Sequence, residues 1–206
     1  MSDEPAVTLG AAVRRMMDAA VLTQAGADVV TSVTKELDAL TEQLIGDGTR
    51  AAMPWPDPQS MRRGYRPFSP VIGAANPIAP PLEIRVCDDS SVLGEVTMRP
   101  IHEGPPGVVH GGWVASLLDQ LLGHANAAAG VGGFTAELTV RYRRPTPYDV
   151  PLVLRARTDR VDGRSVYASG EIVVDGHVTA EATGLFRMPT GERLARVTAD
   201  FERRQS

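Results

Sequence analysis

The stretch Gly107-Val108-Val109-His110-Gly111-Gly112 opens onto Trp113-Val114-Ala115-Ser116-Leu117-Leu118-Asp119-Gln120-Leu121-Leu122-Gly123, an apolar run with one acid near its middle. Val114, Leu117, Leu118, Leu121 and Leu122 recur at helical spacing, which predicts a helix from about Gly112 to Ala129, ended by Gly130, Gly132 and Gly133. A helix this apolar is expected in the core. A carboxylate within it is costly to desolvate unless it is paired, neutralised or used. Gly112, Ser116, Asp119, Gly123 and Asn126 share one small, polar stripe. Helix packing through small residues accounts for Gly112, Ser116 and Gly123 but poorly for Asp119.

On the C-terminal side, Ala136, Leu138, Val140 and Tyr142 alternate with Thr135, Glu137, Thr139, Arg141 and Arg143, the period of a strand with one buried face. Leu152, Leu154 and Ala156 begin a further strand, and Asp162-Gly163 and Asp175-Gly176 mark tight hairpins between alternating runs. On the N-terminal side, Ile84 and Val86 precede a turn at Asp88-Asp89-Ser90-Ser91, after which Val92 to Arg99 reads as a strand. The order β-β-α-β-β-β-β from residue 82 predicts an α+β domain, an antiparallel sheet wrapped around a central buried helix. It occupies residues 82–189, before a C-terminal tail, 190–206.

Residues 1–48 read as a helical N-terminal extension that docks on the main domain or on a sister subunit. Leu9, Val13, Met16, Met17 and Ala20 share one face, and Val29, Val30, Val33, Leu37, Leu40 and Leu44 share another. Residues 49–81 form a connector with eight of the sixteen prolines, and proline excludes helix interiors and sheet ladders. Trp55, Tyr65 and Phe68 are expected to hold parts of it against the surface.

Composition removes several classes of function. A net charge of −4 with a single lysine, Lys35, argues against coating a nucleic acid. Cys87 is alone, so no internal disulfide or cysteine-based zinc site is expected. His102, His110, His124 and His177 have no ligand spacing, so no metal is expected; His102-Glu103, on the glycine- and proline-rich loop from Pro100 to Val109, reads as a solvated pair. No run of roughly 20 apolar residues predicts a membrane span, and the acidic start lacks a signal-peptide layout. A cytoplasmic location is the expectation.

Gly111 and Gly112 lack Cβ atoms, so a ligand can approach the helix start, where unpaired N–H groups and the positive dipole end converge. A carbonyl oxygen placed there is polarised as negative charge develops. Gly111 and Asp119 lie roughly 12 Å apart along one helix axis, too far to act on one carbonyl. Two antiparallel copies of the helix would bring the glycine turn of one to Asp119 of the other. The spacing therefore predicts a homodimer with shared sites, and leaves open whether dimers pair into a tetramer.

The pattern Gly-x-x-His-Gly-Gly with Asp119 nine residues after His110, followed by Thr135 to Pro147 with its Arg-Pro-Thr-Pro end, resembles the hot-dog-fold acyl-CoA thioesterases, most of all the phenylacetyl-CoA thioesterase-like branch. The resemblance covers about residues 82–189. It implies a hot-dog fold and hydrolysis of an acyl-CoA thioester to free acid and CoA. It also implies that Asp119 is general base or nucleophile, that the Gly111 N–H polarises the carbonyl beside His110, and that Thr135 positions water or the carboxylate. Gly104 stands where some members carry asparagine, which leaves that orienting role without a matching side chain. Gly112 and Ser116 are candidate substrate contacts, and Arg143 and Arg144 are candidates for the phosphates of coenzyme A, which is part of the substrate and no separate cofactor. Two alternatives stand beside this reading. One is a non-catalytic acyl-CoA- or lipid-binding hot-dog protein. The other is an enoyl-CoA hydratase, since Asp119 and His124 match the spacing of a hydratase dyad but lack its intervening asparagine and proline.

Overall fold

A computed structural model describes residues 4–46, 48–49, 66–192 and 199. Helices α1 (Glu4–Leu22) and α2 (Ala27–Gly46) precede strands β1 (Glu83–Val86) and β2 (Val92–Thr97), a 3-10 turn (Pro100–His102) and helix α3 (Gly111–Ala128). Strands β3 (Phe134–Tyr142), β4 (Pro151–Asp162), β5 (Ser165–Val174) and β6 (His177–Arg187) follow. The six strands form one sheet in the order β1-β2-β4-β5-β6-β3, antiparallel at every junction. It curves around α3 in the hot-dog arrangement.

The sheathing is one-sided. Val114, Leu117, Leu118, Leu121, Leu122, Ala125 and Asn126 of α3 are buried, packed with Leu152, Leu154, Val166, Ile172, Ala180 and Phe186 of the sheet. Gly112, Ser116, Asp119 and Gly123 are not buried, so the expectation of a helix buried on all sides holds for its apolar face only. Asn126 leaves the open stripe: it is fully buried, and its Oδ1 accepts from Thr158 Oγ1 at 2.8 Å. Close approach of sheet to helix depends on glycine. A Cβ on Gly170 would stand 2.8 Å from the Arg155 carbonyl oxygen and 3.2 Å from Leu122 Cδ2.

Two local readings are adjusted. The β5–β6 hairpin turns on Asp175 and Gly176 as expected, both with positive φ (47° and 76°). The β4–β5 hairpin turns one residue later than expected, on Gly163 and Arg164, because β4 runs through Asp162. In β3, Thr135 pairs with Phe186 and Glu137 with Leu185, so Ala136 is an extra, bulged residue. A bulge reverses which face later side chains occupy. The simple alternation that placed Thr135 opposite Leu138, Val140 and Tyr142 is therefore broken at Ala136.

The N-terminal extension divides in two. α1 docks: Arg14 donates from Nη1 to the Asn76 carbonyl and from Nη2 to the Ala74 carbonyl, both at 2.7 Å. Asp18 pairs with Arg99 at 2.5 Å. α2 buries none of its residues, and its stripe of Val29, Val30, Leu37, Leu40 and Leu44 stays exposed. The connector from residue 66 onward forms turns whose Val71, Ala75, Ala79 and Leu82 are buried. Trp55 and Tyr65, and nearly all of the tail from residue 193, lie outside the described residues. No helix among the described residues is long and apolar enough to cross a membrane.

His102, 1% exposed, sits under α1 and is not the solvated loop residue its glycine- and proline-rich surroundings suggest. Burial, then the neighbouring Arg99 guanidinium, push its imidazole from 6.5 down to about 4. Between those two values the unfolded chain binds more protons than the folded one, so stability falls as the pH drops through that window. His102→Gln is expected to flatten this decline between pH 6.5 and 4, read from urea midpoints against pH. Gly170→Ala is expected to cost about 1–3 kcal/mol by overpacking, read from denaturation at one pH.

Candidate active site

Helix α3 begins at a cap made by a side chain. His110 has extended backbone (φ −57°, ψ 133°), and its Nδ1 accepts a hydrogen bond from the Gly112 N–H at 3.0 Å. That bond places the proton of a neutral ring on Nε2. The His110 carbonyl accepts from Trp113 and Val114 at 2.9 and 3.3 Å. Gly111, first in the helix, has no acceptor for its N–H within the helix. So of the two glycines, Gly111 presents a donor, whereas the Gly112 N–H is committed to His110.

The loop ahead of the cap is tightly built. The His110 N–H donates to the His102 carbonyl at 2.8 Å, and the Val109 N–H to the Thr146 carbonyl at 2.8 Å. Glu103 Oε1 accepts from the Gly107 N–H at 2.7 Å and from the Tyr148 hydroxyl at 3.2 Å. A Cβ on Gly104 would stand 2.8 Å from His110 Cα. The departure at this position is therefore also a packing requirement, because a side chain there would push the cap away.

Asp119 is half-buried on the open face of α3. Its Oδ1 accepts from Thr135 Oγ1 at 2.8 Å, and no bond engages Oδ2 among the described residues. Eight residues earlier on the helix, the Gly111 carbonyl accepts from the Tyr142 hydroxyl at 2.9 Å. Strand β3 thus touches α3 near both of its own ends, once at the acid and once at the glycine turn. Tyr142 was not among the expected site residues, although its place in the Leu138-Val140-Tyr142 alternation pointed it toward the helix.

The remaining candidates fare unequally. Ser116 donates back to the Gly112 carbonyl at 2.8 Å. Arg143 is exposed and ion-paired with Glu181, which holds its guanidinium charged. Arg144 carries no ion pair among the described residues. His124 Nδ1 lies 2.9 Å from the carbonyl of Gln120 on its own helix, and burial lowers its pKa, so it does not join Asp119. No group of three His, Cys, Asp or Glu side chains among the described residues is arranged to hold a metal. A hollow of about 750 Å³, lined by Thr139, Arg141, Arg155, Glu171 and Glu181, contains none of the candidate residues. Neither Asp119 nor Gly111 lines that hollow.

A family model described as the thioesterase superfamily matches residues 106–181. Acyl-coenzyme A thioesterase THEM4 of Xenopus laevis is 36% identical over 89 residues, which is 42% of this chain and 40% of that protein. THEM5 of Homo sapiens, also an acyl-coenzyme A thioesterase, is 34% identical over 67 residues, 32% of this chain and 27% of that protein. The chain spans less than half the length of these curated relatives. A phenylacetic acid degradation-related protein from Ralstonia eutropha JMP134 is 26% identical in its crystal structure, covering 63% of this chain and 98% of that one at a TM-score of 0.54. A thioesterase superfamily protein of known crystal structure is 38% identical over 88% of this chain and 94% of that one, with a TM-score of 0.79. Similarity on that scale, in a fold that carries the acid-bearing helix and its capped glycine turn, makes this chain a member of the thioesterase superfamily.

Proposed function

We propose that the protein hydrolyses an acyl-CoA thioester to free acid and coenzyme A, in sites shared between two copies of the chain. One observation carries this reading: the Thr135–Asp119 hydrogen bond fixes one carboxylate oxygen and leaves the other open, on the face of α3 that the sheet does not cover. The relatives named acyl-coenzyme A thioesterases supply the substrate class.

Assembly follows from the edge of the sheet. β3 is a nine-residue edge strand, largely exposed along its length, with Phe134 and Tyr142 about half exposed. A long, unprotected edge invites pairing with another strand. Two β3 strands meeting across a twofold axis would continue the sheet and bring the open faces of two α3 helices together. Asp119 of one copy would then face the His110-Gly111 turn of the other.

In that geometry the Gly111 N–H, at the positive end of α3, meets the thioester oxygen and stabilises the charge that forms on it. Asp119 either takes a proton from an attacking water, which gives the free acid at once, or attacks the carbonyl carbon to form a mixed anhydride that water then cleaves to free acid and carboxylate; in both, the carbon–sulfur bond breaks with coenzyme A leaving as the thiolate. His110 keeps the glycine turn in shape through its Nδ1 and turns Nε2–H toward the site. Arg144, which carries no ion pair among the described residues, is better placed than Arg143 to meet a phosphate of coenzyme A.

Asp119→Asn is expected to lower turnover of a panel of acyl-CoA thioesters at least about 100-fold, the usual cost of a lost general base, while substrate binding measured by calorimetry persists. Wild-type protein that binds acyl-CoA but hydrolyses no member of the panel would overturn the proposal in favour of a binding protein, and hydration of crotonyl-CoA alone would favour the hydratase. Thr135→Val removes a hydrogen bond to a charged group, a loss of about 1.5–3 kcal/mol, so kcat is expected to fall about tenfold or more. Arg144→Ala is expected to raise KM by about tenfold with kcat retained, and Arg143→Ala to raise it less. Single turnover in oxygen-18 water separates the two chemistries: label entering the Asp119 carboxylate marks direct attack.

A further inference from the structure

An unbroken run of contacts joins the N-terminal helix to the glycine turn of α3. Asp18 of α1 accepts from Arg99 Nη1 at 2.5 Å, and the same nitrogen donates to the Arg14 carbonyl at 3.1 Å. The Arg99 backbone N–H donates to His102 Nδ1 at 3.0 Å, which fixes the ring. That ring stands edge-on to Trp113 in the first turn of α3, with centroids 4.9 Å apart and planes at 78°. The His102 carbonyl accepts the His110 N–H at 2.8 Å, and His110 Nδ1 accepts the Gly112 N–H at 3.0 Å.

The turn is held from three sides. Thr146 grips Val109, and Tyr142 grips Gly111; both come from the sheet domain. The third hold, through His102, is the one that leads back to α1. Its outer link is sheltered: the Arg99 and Asp18 side chains are 20% and 26% exposed, so the pair is less screened than one on an open surface. α1 is itself seated by Arg14 on the Ala74 and Asn76 carbonyls. Gly10 reinforces that seat, because a Cβ there would lie 2.9 Å from the Ala74 oxygen.

We infer that Asp18 and Arg99 are positioning residues for the polarising N–H of Gly111, so that the docked N-terminal helix is part of the frame that aims the oxyanion donor. The inference rests on the reading of Gly111 given above. A donor of this kind works by being fixed before the charge forms, and small displacements are expensive in rate. Loosening the His102 limb leaves the turn on its two sheet-side holds, aimed less well but still folded.

The test compares the full-length wild type with Asp18→Ala, Asp18→Asn and Asp18→Glu, using two independent readouts. The first is amide exchange at Gly112 with the nitrogen-15 shifts of the His110 ring, which report the cap without reference to activity. The second is kcat and KM on a hydrolysed acyl-CoA. Asp18→Ala is expected to speed Gly112 exchange and to lower kcat, each by about tenfold, with KM nearly unchanged. Asp18→Glu, which keeps the charge, is expected to recover most of both. If the alanine variant fails to fold, the isosteric Asp18→Asn carries the same comparison. Wild-type exchange at Gly112 and wild-type kcat in a variant whose melting point has dropped would overturn the inference, since α1 would then only add stability. Should the wild type hydrolyse no thioester, the functional reading fails separately, and the Gly112 and His110 signals alone decide whether α1 holds the turn.

Discussion

A curved sheet can sheath only one side of a helix, and the chemistry of this chain depends on what remains on the other side. Val114, Leu117, Leu118, Leu121, Leu122 and Ala125 are driven against the sheet. Burying side chains of the larger kind is worth about 1.5–3 kcal/mol each, so the rotation of α3 about its axis is fixed by the core and not by the site. At 100° per residue, Gly112, Ser116, Asp119 and Gly123 must then point away from the sheet. The acid is left on the open face because the leucines are not.

Strand β3 turns that orientation into a defined site. Thr135 and Tyr142 are seven positions apart, and in a regular strand an odd separation places side chains on opposite faces. Both nevertheless bond to α3, Thr135 at Asp119 and Tyr142 at Gly111. The extra residue at Ala136 makes this possible by reversing parity between them. One inserted alanine therefore lets a single strand orient the carboxylate and steady the glycine turn. The same strand remains the free edge of the sheet, so the groups it orients lie where a second chain would arrive.

What the sequence made readable was local. The helix, most strand positions and the Asp175-Gly176 turn follow from spacings and turn chemistry that act over a few residues, and the Asp119–Thr135 pairing came from the resemblance. The face of Thr135 was not readable, because alanine at a bulge carries no mark of its own. The docking of α1 was not readable either: Asp18 finds Arg99 across 81 positions of sequence, and nothing in the helical period of α1 distinguishes it. His102 looked like a solvated loop residue because its burial is supplied by elements far from it in the chain. The amphipathic stripe of α2 was legible as a pattern, but among the described residues no surface covers it.

The proposed dimer links assembly to chemistry through desolvation. In a single chain the half-buried Asp119 keeps contact with solvent. Closing a second copy over the open face removes that water, which would be severe for a bare carboxylate. Thr135 already donates to one oxygen before closure, and the positive end of the partner's helix would arrive opposite the other. In the proposed dimer the acid would thus have a donor and a favourable field before it is dried. The same proposed closure would strengthen the pull of the Gly111 N–H on a thioester oxygen, since a fixed dipole acts more strongly where water is excluded. A single event, the meeting of two open helix faces, would complete the acid's surroundings and switch on the electrophile-polarising turn together.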